Sequence, residues 1–311
     1  MTNSKLETRN SPLPKTLLVI CGPTAVGKTD LAIELAQHLK TEIISADSRQ
    51  IYREIPIGTA QPTHGQLRAV KHHFIAERSI TEKYNAGMFE RNALERIDRL
   101  FDTHDHVVVC GGTGLYIKAL CEGLDDLPMA DETIRTELKE RLSSEGPQPL
   151  REQLKQLDPT HFAVMDTQNP QRVIRALEVC LSTGKPFSSF HKGDPTPRPF
   201  RAVRIGLQLP KEELNARIDT RVEAMLTNGW LEEAKAVFGQ RHLNALNTVG
   251  YKELFAHLTG ELTLPEATEK IKTNTRRFAK RQMTWFRKDR EVKWFEEPVS
   301  DDLLAASLLD K

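Results

Sequence analysis

The stretch Thr16-Leu-Leu-Val-Ile-Cys-Gly-Pro-Thr-Ala-Val-Gly-Lys-Thr29 decides the fold. Its apolar residues run without alternation, which predicts a strand buried on both faces, and Gly22-Pro23 ends the run. Leu31, Ala32, Leu35 and Leu39 follow at helical spacing. Between strand and helix, Gly22, Pro23, Thr24, Ala25, Val26, Gly27, Lys28 and Thr29 match G-x-x-x-x-G-K-[ST]. Glycines let such a loop wrap its N–H groups and the helix N-terminus around phosphate oxygens; Lys28 adds a positive charge and Thr29 a hydroxyl for Mg²⁺. The loop therefore predicts a substrate carrying a di- or triphosphate, and read alone it suggests ATP or another nucleotide.

Working outward, Glu42 to Ala46 reads as a second short strand ending at Asp47, and His106 to Cys110 as a third that runs into Gly111-Gly-Thr-Gly114. Continuous apolar strands alternating with helices predict an α/β fold, a P-loop NTPase-like parallel sheet flanked by helices. From Gly123 the texture changes to helical patterns over Ile134 to Leu142, Leu150 to Leu157 and Val173 to Leu181, closing in the proline-rich run Lys192 to Pro199. The expected division is a flexible leader over 1–15, a catalytic domain from 16–122 and 201–311, and a helical insertion domain over 123–200. Val203 to Leu209 resumes a strand pattern, and Val292 to Phe295 is a candidate for a last strand.

Charge is balanced: 44 basic against 43 acidic side chains in 311 residues, so any polyanion-binding surface must be local. Residues 270–293 are such a place, with ten Lys or Arg, two acids, and Phe278, Trp285 and Phe286 interleaved. That composition suits either a solvated charged helix or a surface that tracks phosphates and stacks bases. Cys21, Cys110, Cys121 and Cys180 include no CxxC pair, and His72-His73 has no third ligand at useful spacing, so both sets are expected to be structural. Reduced thiols and the lack of a signal or membrane-length segment point to a cytoplasmic protein with no membrane partner.

An ordinary P-loop ATPase carries an acidic Mg²⁺ ligand at the end of a later strand, yet His106 to Cys110 ends without a carboxylate. The prominent acid is Asp47, at a strand end that should converge on the ligand crevice; it reads as a site residue near the P-loop or as a turn or helix-cap aspartate. Thr113 is either a substrate contact or a helix N-cap. Arg217 and Arg221, four apart on a helix, either close over the phosphates or form a solvated face. Gln171, Arg172 and Arg175 share one helical face, with Ile174, Leu177 and Leu181 expected in the core on another.

Seven motifs in order resemble the bacterial tRNA dimethylallyltransferases, also called tRNA isopentenyltransferases, over about residues 16–295. They are Gly22 to Thr29, Asp47-Ser-Arg-Gln-Ile-Tyr-Arg53, Ile57-Gly-Thr-Ala60, Gly111-Gly-Thr-Gly-Leu-Tyr116, Gln171-Arg-Val-Ile-Arg-Ala-Leu-Glu178, Val249-Gly-Tyr-Lys-Glu253, and Thr275 to Arg287. The resemblance implies transfer of a dimethylallyl group from dimethylallyl diphosphate to N6 of the adenosine at tRNA position 37. That adenosine lies 3′ of the anticodon in tRNAs reading codons that begin with U, and diphosphate is released. It implies Mg²⁺ on Thr29, catalysis by Asp47, Lys28, Thr29 and Thr113, and a monomer acting on the anticodon stem-loop. Implied tRNA contacts are Asp47, Ser48, Arg49, Gln50, Thr113, Arg135, Gln171, Arg172, Val173, Ile174 and Arg175. Asn247, Thr248, Val249, Gly250, Tyr251, Lys252, Lys280, Arg281, Gln282, Thr284 and Arg287 complete the set. A P-loop small-molecule kinase, a prenyltransferase of free adenine nucleotides and a nucleotide-switched RNA-binding protein are the competing readings.

Overall fold

The computed structural model describes residues 15–128, 131–191 and 193–296. In chain order it runs β1 (Thr16–Cys21), α1 (Lys28–His38), β2 (Ile43–Ser45), α2 (His64–Ala69), β3 (His72–His73), α3 (Ala86–Phe101), β4 (His106–Cys110) and α4 (Gly114–Glu122). Four helices follow: α5 (Glu132–Glu145), α6 (Pro147–Leu157), α7 (Pro159–Val164) and α8 (Pro170–Thr183). The chain then returns through β5 (Arg201–Leu207), α9 (Lys211–Thr227), α10 (Trp230–Val237), α11 (Tyr251–Leu258), α12 (Leu264–Phe286) and β6 (Val292–Phe295).

The strands form one sheet in the order β3-β2-β4-β1-β5-β6, and every pairing is parallel. The two-sided core follows from the pleat, because successive side chains of a strand point to opposite faces. Leu17, Val19 and Cys21 of β1 join Val107 and Val109 of β4 on one face, packed with α3, α4 and the C-terminal helices. Leu18 and Ile20 join Val108, Val203 and Ile205 on the other, covered by Leu31, Ala32 and Leu35 of α1. The unalternating apolar run is thus the signature of a central parallel strand, and the expected α/β fold is the fold formed.

Some details differ from expectation. β5 starts at Arg201 and ends at Leu207, two residues earlier than the pattern suggested, because Arg201 N already donates to Lys15 O at 2.9 Å. His72-His73 is an edge strand too short to carry a periodic signal. His73 is buried there; its Nε2 lies 2.5 Å from Glu42 Oε2 and its Nδ1 faces Arg96.

Gly123–Pro197 forms a compact unit separate from the rest of the chain. Its boundary falls at Pro197 rather than at 200, because Arg198 is anchored on the sheet-bearing unit, donating to Leu120 O and Ala119 O and pairing with Glu90 at 2.5 Å. Within the helical unit, Leu138, Leu150, Leu154, Val173, Ile174 and Leu177 make the core. Leu181 was expected in that core but is 41% exposed, in the last turn of α8. The leader expected over 1–15 lies, except for Lys15, outside the described residues, as does Lys192 of the proline-rich run. Among the described residues no helix is long and apolar enough to cross a membrane.

Candidate active site

The ends of β2, β4 and β1 lie side by side and deliver three loops to one edge of the sheet. Ala46 N donates to Cys110 O at 2.8 Å and Gly111 N to Ile20 O at 3.1 Å, so the loops stay in register beyond the strands. Asp47 and the P-loop leave strands separated by one intervening strand, which sets their backbones about 10 Å apart at the strand ends. The glycines between them are required by close approach. A Cβ on Gly111 would stand 2.2 Å from Ala46 O, and one on Gly112 would stand 2.2 Å from Gln282 Nε2.

The P-loop has the backbone of an anion cradle. Gly27 adopts φ 103° and Ala25 φ 66°, left-handed conformations that turn successive N–H groups inward ahead of α1. Lys28 Nζ donates to Pro23 O at 2.6 Å. Burial holds the Lys28 ammonium below its usual range, opposed by Cys110 and Asp47 and reinforced by Arg221. An anion arriving here would relieve that desolvation. Burial pushes the Cys110 thiol up to about 11, so the end of β4 contributes no negative charge at neutral pH.

From α9, Arg221 Nη1 donates to Thr24 Oγ1 at 3.4 Å. Arg217, paired with Glu213 at 2.7 Å, brings its Nη1 to 3.9 Å from where a Cβ on Gly27 would stand. Both arginines are exposed beside the cradle, which the sequence left open. The Thr29 hydroxyl has no hydrogen-bond partner among the described residues. One neutral oxygen fits Mg²⁺, which keeps most of its shell as phosphate oxygens and water. No cluster of three His, Cys, Asp or Glu able to hold a metal occurs among the described residues.

Half-buried Asp47 spends one oxygen on its own turn: Oδ1 accepts from Arg49 N at 2.8 Å and Gln50 N at 3.3 Å. Its Oδ2 has no hydrogen-bond partner among the described residues. Thr113 precedes α4, and its carbonyl accepts from Ile117 N at 3.2 Å, but its side chain turns to Ser48: Oγ1 accepts from Ser48 N at 3.0 Å and donates to Ser48 Oγ at 3.3 Å. The β4–α4 loop is thereby tied to the residue next to Asp47.

Several residues expected to touch RNA also have partners within the fold. Arg49 holds the carbonyls of Asn244 and Ala245 at 2.8 and 3.1 Å, and that of Asn247 at 3.5 Å. Gln50 donates to Ala60 O at 2.8 Å. Val173, Ile174 and Tyr251 are buried, and Tyr251 OH donates to Glu233 Oε1 at 2.5 Å. Arg175 and Arg135 both pair with the buried carboxylate of Glu178, at 2.5 and 3.0 Å. Gln282 is buried, with Oε1 accepting from Thr24 N at 2.8 Å and Nε2 donating to Gly112 O at 2.9 Å.

Gln171, Arg172, Asn247, Lys252, Lys280, Arg281, Thr284 and Arg287 remain exposed, while Ser48, Thr248 and Val249 are half-buried and Gly250 is buried. Phe286 is core, whereas Trp285 is 38% exposed and lies on Gly114, where a Cβ would stand 2.1 Å from its Cδ1. Glu233 is a residue that the sequence reading missed. Its carboxylate gathers Ile57 N at 2.7 Å, Gly58 N at 2.8 Å and the Tyr251 hydroxyl. No local pattern announces it, because its partners are 18 to 176 residues away in sequence.

Fold and site together define a P-loop α/β protein whose phosphate cradle faces a carboxylate turn rather than a strand-end metal acid. The IPP transferase family model matches residues 50–289. A tRNA dimethylallyltransferase of Christiangramia forsetii is 51% identical over 280 residues, 90% of this chain and 93% of its own. One from Bacteroides thetaiotaomicron is 46% identical over 289 residues, covering 93% and 94%. Among solved structures, the full-length tRNA isopentenylpyrophosphate transferase of Bacillus halodurans aligns with TM-score 0.68 at 35% identity, covering 94% of this chain and 95% of its own. A eukaryotic dimethylallyltransferase acting on tRNA aligns with TM-score 0.78 at 27% identity, covering 93% and 76%. The chain belongs to the IPP transferase family.

Proposed function

We propose that this protein transfers a dimethylallyl group from dimethylallyl diphosphate to N6 of the adenosine at tRNA position 37, releasing diphosphate. The observation that carries the proposal is the pairing of an anion cradle with a carboxylate, two strands away, whose second oxygen has no hydrogen-bond partner among the described residues. The relatives named above act on tRNA by their names, and the exposed base-rich segment around Lys280, Arg281 and Arg287 supplies positive charge for an RNA backbone.

In the proposed reaction N6 attacks the allylic C1, the C1–O bond breaks, and its electron pair leaves with diphosphate. The exocyclic amine is a poor nucleophile because its lone pair is delocalised, so Asp47 Oδ2 takes the N6 proton as the bond forms. The P-loop N–H groups, Lys28, Arg217 and Arg221 stabilise the charge that grows on the leaving group. Thr113 and Ser48 hold the Asp47 turn in place. When bound on Thr29, Mg²⁺ would supply further neutralisation of the diphosphate. Four free cysteines fit a reducing, cytoplasmic setting.

Incubation with tRNA and dimethylallyl diphosphate, followed by mass analysis of digested nucleosides, tests the proposal. A prenylated adenosine is expected. Phosphate transfer from ATP without prenylation would establish a kinase instead, and prenylation of free AMP in preference to tRNA would move the acceptor.

A further inference from the structure

Gln282 sits in the basic segment of α12, yet its side chain points away from solvent. The buried face of this stretch carries Ala279, Gln282 and Phe286, while Lys280, Arg281, Thr284 and Arg287 face out. Both ends of the Gln282 amide are engaged, and with different loops. Oε1 accepts from the P-loop N–H of Thr24 at 2.8 Å, and Nε2 donates to the carbonyl of Gly112 at 2.9 Å. Residue 112 has to be glycine for the amide to fit, since a Cβ there would stand 2.2 Å from Nε2.

We propose that Gln282 is a positioning residue: its planar amide is a spacer of fixed length that sets the separation between the diphosphate cradle and the Gly111–Gly114 loop, and hence between the leaving group and the Asp47 turn. A planar amide presents an acceptor and a donor at a rigid spacing whatever the pH, as the two loops demand. The Gly111–Gly114 loop is tied in turn to Ser48 through Thr113, so the spacer reaches the residue beside Asp47 in two steps. In-line displacement at an allylic carbon is sensitive to errors of about 1 Å in the placement of the reacting groups. A residue that sets this distance therefore acts on the chemical step rather than on RNA affinity. The assignment rests on the proposed prenyl transfer.

The test uses the full chain, with wild-type transfer to tRNA measured first; no wild-type product would refute the proposed function and not the role of Gln282. Gln282→Met keeps the volume and removes both hydrogen bonds. Its kcat should fall on the order of tenfold to a hundredfold, with tRNA affinity within about twofold of wild type. Gln282→Glu keeps the acceptor for Thr24 N–H but sets a carboxylate against Gly112 O. Burial and that oxygen raise the new carboxyl's pKa, and once protonated it again donates to Gly112. Activity relative to wild type should therefore recover as pH falls, within one folded protein. A kcat near wild type for Gln282→Met, weaker tRNA binding with kcat intact, or a Gln282→Glu pH profile parallel to wild type would each overturn the assignment.

Discussion

Replacing Asp47 with asparagine separates the two jobs of that side chain. One oxygen organises the turn by accepting from Arg49 N and Gln50 N, and an asparagine Oδ1 can accept both bonds. The change costs only the difference between charge-assisted and neutral bonds, about 1 kcal/mol in all. For a unit of this size that lowers Tm by about 2 to 4 °C. The other oxygen, without a hydrogen-bond partner among the described residues, loses the ability to take a proton. General-base assistance contributes about a hundredfold to ten-thousandfold, which corresponds to about 3 to 5.5 kcal/mol in the barrier. The assay is single-turnover transfer of labelled dimethylallyl to tRNA, with melting and tRNA binding measured on the same preparation. Asp47→Asn should melt close to wild type, bind tRNA as well, and react at least a hundredfold more slowly. A rate within threefold of wild type would refute the base assignment; a collapse in Tm would show that Asp47 serves the fold instead.

Four further outcomes are expected. Diphosphate affinity, read by calorimetry, should fall as pH rises through the depressed pKa of Lys28, because only the protonated ammonium attracts the anion; in Lys28→Met that pH dependence should disappear. Thr113→Val keeps the shape but leaves Ser48 N–H without its acceptor, and should slow transfer on the order of tenfold while costing about 1 to 2 kcal/mol in unfolding experiments. Glu233→Gln turns one oxygen into a donor facing the N–H groups of Ile57 or Gly58, and should cost about 3 kcal/mol, a drop in Tm of roughly 6 to 12 °C by calorimetry. Arg204 is 6% exposed and pairs with Asp289 at 2.5 Å and Glu122 at 2.9 Å. Arg204→Met leaves two partly exposed carboxylates without their cation and should lower stability by about 2 kcal/mol, measured by denaturant unfolding.

The sequence by itself determined the P-loop, the parallel sheet and the place of Asp47. Each of these is written in contiguous residues. A buried central strand needs an unbroken apolar run such as Leu17 to Cys21, and a phosphate cradle needs glycines at short fixed spacing. The switch to an all-helical unit at Gly123 was equally local, since period and punctuation change together there. What the tertiary structure decided is which polar side chains are free to act. Arg135 and Arg175 look like RNA contacts in the chain, but the folded helices turn both onto buried Glu178. Arg49, Gln50 and Tyr251 are drawn into hydrogen bonds with groups about ten to two hundred residues away in sequence, which no local pattern announces. Gln282 is the sharpest case. Among ten basic neighbours it reads as surface, yet its partners at Thr24 and Gly112 lie 258 and 170 residues away. A buried amide must satisfy both of its ends, and only the fold could bring those two ends their partners.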